Sequence, residues 1–258
     1  MEKKVKRDLL LDFTHSYSMD WVGAHPELQY IDCSGIGGTD MYCTPEAEEE
    51  LQKILEKYPL RGIHFFDSGN YHYMSRLFTK RMDRPYQLVF FDNHTDMQPS
   101  MIPDLLSCGA WAKQVLEEDE YLQKLVLIGP PKESIAEIPM SDFPKEKAEK
   151  LVIISREELN EWEELNKQNG LSKELPVYLS IDKDVLSEEY ARTNWDQGEM
   201  TLTTLTEIIR WIGGHFEVLG VDICGELPGA ASYEAAEVQR INESTNEKLY
   251  KLLNEVLE

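Results

Sequence analysis

The stretch that decides the fold is Gln87-Leu88-Val89-Phe90-Phe91-Asp92-Asn93-His94-Thr95-Asp96. Five apolar or weakly polar residues, Gln87 to Phe91, suffice for a strand buried on both faces, and they run straight into Asp92, His94 and Asp96. Side chains two apart on an extended chain point the same way, so these three metal-type donors can converge just past the strand's carboxyl end. Open α/β sheets hold their ligands there. Acidic residues after a strand also serve ordinary turns and caps, so this element alone does not define a metal site.

A second stretch repeats the logic. Val177-Tyr178-Leu179-Ser180-Ile181 leads into Asp182-Lys183-Asp184. Two carboxylates so close together repel unless protons or a cation lie between them. Two such strand ends in one chain suggest one shared site.

Around these stretches the chain alternates strand and helix patterns. Strands are expected at residues 8–13, 62–67, 87–92, 124–128, 151–154, 177–182 and 216–223. Helices are expected from Thr44-Pro45 to about Tyr58-Pro59, from about Tyr71 (carrying His72), and over 107–122. The capping-box spacings Ser155-Arg156-Glu157-Glu158 and Thr204-Leu205-Thr206-Glu207 each open another, the second stopping at Gly213-Gly214. A long amphipathic helix runs from Ser232 to the end, and residues 14–44 read as one long loop. Repeated strand-helix-strand order implies a mainly parallel sheet with helices on both faces, a three-layer α/β/α arrangement. No Pro/Gly/Ser-rich linker divides the 258 residues, so a single domain over 1–258 is expected.

Composition narrows the function. Acidic residues outnumber basic ones by 48 to 26, giving a formal charge of -22, which argues against nucleic acid as a partner. Most of this charge reads as solvated surface, and it would draw in metal cations and cationic substrates. No stretch approaches the roughly 20 apolar residues of a membrane span. Met1 to Arg7 is basic, but the following Leu9-Leu10-Leu11 is broken by Asp12, too soon for a signal peptide. Cys33, Cys43, Cys108 and Cys224 form no C-x-x-C pair and no disulfide framework, which fits reduced thiols and a cytoplasmic location.

Asp92-Asn93-His94-Thr95-Asp96 resembles the D-x-H-x-D motif of the arginase, agmatinase and formiminoglutamase family of manganese ureohydrolases, and Ser180-Ile181-Asp182-Lys183-Asp184 resembles its S-x-D-x-D motif. Gly69-Asn70-Tyr71-His72 lies where that family has a Gly-Gly-Asp-His element, and Gly220-Val221-Asp222-Ile223 resembles its late Gly-Leu-Asp-Ile strand. Order and approximate spacing hold from about Gly62 to Pro228. The resemblance implies one arginase-like α/β domain, two Mn2+ ions per chain, a small-molecule substrate and the trimeric or hexameric assembly usual in the family. It assigns His72, Asp92, Asp96 and Asp182 to the more buried ion, and Asp92, His94, Asp182 and Asp184 to the other, with Asp92 and Asp182 shared. Carboxylates with one imidazole per ion suit Mn2+ better than zinc. The implied activity is hydrolysis of a non-peptide C–N bond in a guanidino, formimino or related compound, by a hydroxide generated between the ions. Asp96 would orient that hydroxide and pass its proton to the leaving nitrogen.

The departures concern backbone and substrate. Val185-Leu186 follows Asp184 where the family has Asp-Pro, and Ser68-Gly69 stands for its Gly-Gly. The guanidinium-binding glutamate of arginase-like members falls three residues after the late-strand aspartate, which here is Gly225. Glu226, one place on, could fill that catalytic role if the strand end bulges, whereas a one-residue slip in an extended segment turns it away. The family's proton-shuttling His-Gly pair is replaced by Cys108-Gly109. Asn194 and Trp195 lie in the loop where relatives contact substrate, and with Cys108 they are the candidate substrate contacts.

Bland readings compete at other positions. His15 and His25 suit exposed or loop positions, His64 and His215 suit packing or strand entry, and Cys108 is equally a small buried thiol. Three functions stay open: a two-metal hydrolase of guanidino or formimino compounds, the same centre acting as an amidase or deacetylase on a non-guanidino substrate, and a metal-binding member without catalysis.

Overall fold

The computed structural model describes residues 5–100, 102, 105–161, 170–229 and 234–258. Its strands are β1 (Leu9–Asp12), β2 (Gln29–Asp32), β3 (Tyr42–Cys43), β4 (Ile63–Phe66), β5 (Tyr86–Phe91), β6 (Leu106–Ser107), β7 (Leu122–Ile128), β8 (Leu151–Ile154), β9 (Val177–Asp182) and β10 (Val218–Cys224). Eight of them form one sheet in the order β2-β1-β4-β10-β9-β5-β7-β8, with every neighbouring pair parallel. All the carboxyl ends therefore point to one rim, and β4, β10, β9 and β5 are adjacent there.

Residues of β1, β4, β5 and β9 are buried throughout, as continuous apolar runs covered on both faces require. Alternation sorts their side chains between two cores. Val89, Phe91, Leu179 and Ile181 pack with Leu205, Ile208, Ile209, Leu249 and Leu253 on one face. Leu88, Phe90 and Tyr178 pack with Leu51, Leu77, Phe78, Trp111 and Leu116 on the other. The expected three-layer, mainly parallel architecture is the observed one.

Several boundaries differ from the sequence reading, each for a local reason. The expected loop over 14–44 contains a helix, Met19–Ala24, capped by Ser18, and strands β2 and β3. β2 is a half-exposed edge strand, and β3 is a two-residue pair with β6, so neither carries a long apolar signature. The helix expected over 107–122 is Trp111–Glu118, because Leu106 and Ser107 are taken by β6. Glu158 reaches back to Ser155 as a capping box should, but Arg156–Glu161 is a 3-10 helix, and residues 162–169 lie outside the described set.

The next helix is capped by Thr201, not Thr204, and runs Leu202–His215 straight through Gly213-Gly214. Gly213 serves close packing: a Cβ there would stand 2.8 Å from Val256 of the C-terminal helix. That last helix is Ala235–Leu257, so its expected start at Ser232 lies outside the described residues. The four cysteines are unpaired and buried, and among the described residues no helix is long and apolar enough to cross a membrane.

Candidate metal centre

Six donors expected from the sequence meet at this rim. Asp92 follows β5, Asp182 ends β9 with Asp184 in the 3-10 turn Lys183–Val185, and His72 follows the 3-10 turn Gly69–Tyr71 after β4. Nδ1 of His72 lies 3.0 Å from Oδ2 of Asp92, 3.0 Å from Oδ2 of Asp96 and 3.7 Å from Oδ2 of Asp182. Nδ1 of His94 lies 2.8 Å from Oδ2 of Asp184 and 3.4 Å from Oδ1 of Asp92. His72, Asp92 and Asp96 thus form one donor group and Asp92, His94 and Asp184 another, with Asp92 in both.

The loops are knitted so that these groups hold their places. The backbone N–H of His94 donates to Asp92, that of Asn93 to Asp184 at 3.0 Å, and that of Asp184 to Asp182 at 2.9 Å. Asp96 adopts a left-handed backbone, φ 50°, tolerated by Asp and rare for larger side chains. Trp111 fixes its carboxylate: Nε1 donates to Oδ2 at 2.6 Å.

The chemistry of the set fits divalent ions. Nε2 of His72 is 3.0 Å from the Ser180 hydroxyl, while Nδ1, fully buried, has no hydrogen-bond partner despite two carboxylate oxygens at contact distance. A neutral ring that donates through Nε2 leaves a lone pair on Nδ1 aimed at oxygens that cannot donate to it, an arrangement that costs free energy unless a proton on Nδ1 or a metal cation lies between. Donors about 2.1 Å from a common ion in adjacent octahedral positions stand about 3.0 Å apart. The His72 contacts have that spacing. Burial, then the nearby Asp184 and Asp92 charges, push Asp182 up to about 7; burial, then Asp92, pushes Asp184 up to about 6. A bound dication reverses this bias toward protonation.

A cavity of about 310 Å³ opens over the donors; besides Asp92, His94, Asp96, Asp182 and Asp184, its walls include Gln98, Cys108, Ser134, Glu137 and Trp195. Trp195 sets its ring edge-to-face with His94, centroids 5.6 Å apart, and donates to Asn70 at 2.9 Å. Asn194 is exposed and gives its amide to the same Asn70 oxygen at 2.8 Å. Burial and then the Asp96 charge push Cys108 up to about 12, which keeps it a thiol.

Glu226 takes another position. It is buried behind the strand ends, ion-paired to Lys183 and accepting from Asn242 and Asn246, each at 2.8 Å, and it is not among the residues lining the cavity. Gly225, the place where the resemblance puts a glutamate, has φ 95°, and a Cβ there would lie 2.6 Å from Oδ1 of Asp182. No side chain fits at 225 without moving a candidate ligand. The other histidines are accounted for locally: His64 stacks on Phe78, His25 and His215 bond to the carbonyls of Trp21 and Trp211, and His15 is exposed with Nδ1 3.7 Å from Asp12.

The sequence profile of the Arginase family matches residues 26–238. This chain belongs to the arginase family.

An uncharacterized protein of Thermotoga maritima is 28% identical to this arginase-family chain over 244 residues, covering 92% of it and 90% of the relative. Among solved structures, proclavaminate amidino hydrolase from Streptomyces clavuligerus superposes with a TM-score of 0.66 at 13% identity, covering 99% and 94% of the two chains. Arginase from Medicago truncatula gives 0.61 at 13% identity (96% and 87% covered). Formimidoylglutamase from Bacillus subtilis gives 0.58 at 14% identity (96% and 89%). At these identities the likeness shows the arginase fold and leaves the substrate to this chain's own residues.

Sequence reasoning misses several groups that support the site. Ser180, although inside the quoted motif, goes unassigned, and it bonds His72 and Ser75, which donates in turn to Asp222. Trp111, Asn70 and Cys224 are also missed. Only Cys224 has a sequence signal, since it stands two residues after Asp222 in an extended strand.

Proposed function

We propose that this chain is a two-metal hydrolase that cleaves a non-peptide C–N bond in a small substrate, an amide or amidine in preference to a guanidino compound. The unpartnered Nδ1 of His72 facing the Asp92 and Asp96 carboxylates carries this reading. His72, Asp92, Asp96 and Asp182 would hold the deeper ion, and Asp92, His94, Asp182 and Asp184 the outer one. When bound, such a pair supplies Lewis-acid polarisation of the substrate and an activated water. Oxygen and imidazole donors suit Mn2+.

The chain's own groups do the rest. Trp111 holds Oδ2 of Asp96, leaving Oδ1 to take a proton and deliver it to the departing nitrogen. Trp195 and His94 line the cavity as an edge-to-face pair and would screen the reacting group from bulk water. Among the described residues the lining includes no Lys or Arg, so these offer no counter-charge to an anionic substrate, while Glu137 favours a neutral or cationic one. Glu226, neutralised by Lys183, offers no free carboxylate to a guanidinium group.

The test is a screen of the Mn2+-loaded chain against guanidino, formimino and acylated amines, reading amine and urea release. Amine release from acylated or formimino compounds, with no urea from arginine or agmatine, is expected. Urea from either would reverse the substrate preference, and a metal-loaded chain inert to all three classes would favour a non-catalytic member.

A further inference from the structure

We propose that Cys224 is a ligand of the deeper ion, placing one thiolate beside His72 and Asp182 and making that position selective for a thiophilic ion (Zn2+, Fe2+ or Co2+) over Mn2+. This rests on the two-metal reading above and changes what the deeper position holds.

Register brings the pair together. Cys224 ends β10, Asp182 ends β9, and the two are directly paired across the parallel ladder. Sγ of Cys224 lies 3.2 Å from Oδ2 of Asp182, and with a nitrogen of His72 these donors fall within 4.8 Å of one another. A sulfur about 2.3 Å and an oxygen about 2.1 Å from a common ion stand about 3.1 Å apart at a right angle and about 3.6 Å apart at the tetrahedral angle. The observed separation lies between these limits.

The partner in this group is the buried His72, whose Nδ1 has no hydrogen-bond partner among the described residues and lies 3.7 Å from the same Asp182 oxygen, an observation independent of the cysteine. Gly225, packed against Asp182 and the backbone of Lys183, keeps the end of β10 tight to β9, so position 224 cannot swing away from the ligands. Cys224 is 1% exposed and free of any disulfide. As a plain buried thiol it would be a small apolar filler giving a weak hydrogen bond to Asp182. As a ligand, the S–H bond breaks, the proton leaves to solvent and sulfur's electron pair goes to the ion, so loading releases one more proton than it would without the thiol. Soft sulfur beside imidazole and carboxylate shifts preference along the divalent series away from Mn2+.

The test loads the full chain with Co2+ and records its electronic spectrum. The wild type is expected to show a near-ultraviolet sulfur-to-cobalt charge-transfer band. That band should survive Cys108→Ser and vanish in Cys224→Ser, which keeps its visible ligand-field bands. In Zn2+/Mn2+ competition, Cys224→Ser should lose about tenfold or more of the preference for Zn2+. X-ray absorption on the Zn2+-loaded wild type counts sulfur at the metal without any variant. Bound Co2+ with no charge-transfer band, or a band lost in Cys108→Ser, overturns the assignment of Cys224 and leaves the two-metal reading standing. Absence of Co2+ binding removes both.

Discussion

Nε1 of Trp111, fully buried, donates to Oδ2 of Asp96 at 2.6 Å, 15 residues along the chain. The indole engages Oδ2 and leaves Oδ1, the oxygen to which the proposed proton transfer is assigned. Trp111→Phe keeps the ring and removes the donor. It should lower kcat about 10- to 100-fold while the bound metal per chain stays at the wild-type value, as kcat and metal analysis on one preparation would reveal. A loss of metal in step with activity would make the tryptophan a fold element alone.

Lys183 and Glu226 form an ion pair at 0% and 4% exposure, with Asn246 accepting from the ammonium at 2.9 Å. Removing one partner of a buried pair strands a charge, which costs about 3–5 kcal/mol. Lys183→Met should therefore destabilise the chain by that order in urea unfolding, and adding Glu226→Gln should recover most of the loss. A single variant as stable as wild type would mean that water reaches the pair.

His64 is fully buried between β1 and β10, stacked on Phe78 at 4.4 Å, and burial lowers it from 6.5 to about 4. The unfolded chain takes up a proton between those values and the folded chain does not. The contribution is thus fully present above about pH 6.5 and lost as pH falls through about 4, amounting to about 3 kcal/mol. His64→Leu should flatten the stability-pH profile in that window, measured by urea unfolding at a series of pH values.

The donors and the sheet are legible in sequence because both depend on short-range periodicity. A buried parallel strand is a continuous apolar run, and donors spaced by two share a face, so Asp92, His94, Asp182 and Asp184 announce themselves. The edge strand Gln29–Asp32 does not, since only one neighbour covers it. Glu226 shows the limit: the sequence leaves it either a catalytic group at a bulged strand end or a side chain turned away by a one-residue slip, and its place against Asn242 and Asn246 depends on tertiary packing alone. Trp111 is illegible for the same reason. Its spacing reads as an ordinary core position of a helix, and its N–H finds Asp96 only once β5 and the Trp111–Glu118 helix are docked.

Asp92 belongs to both donor groups and His94 to the outer one alone, so their replacements should differ in stoichiometry and not merely in degree. The decisive measurement is the number of divalent ions bound per chain after loading and desalting, by elemental analysis, in wild type, His94→Ala and Asp92→Asn. Two ions are expected in wild type, one in His94→Ala, and none, with no C–N hydrolysis, in Asp92→Asn. A wild-type chain that binds no ion, or an Asp92→Asn chain that keeps both ions, would contradict a two-metal centre built on these six side chains.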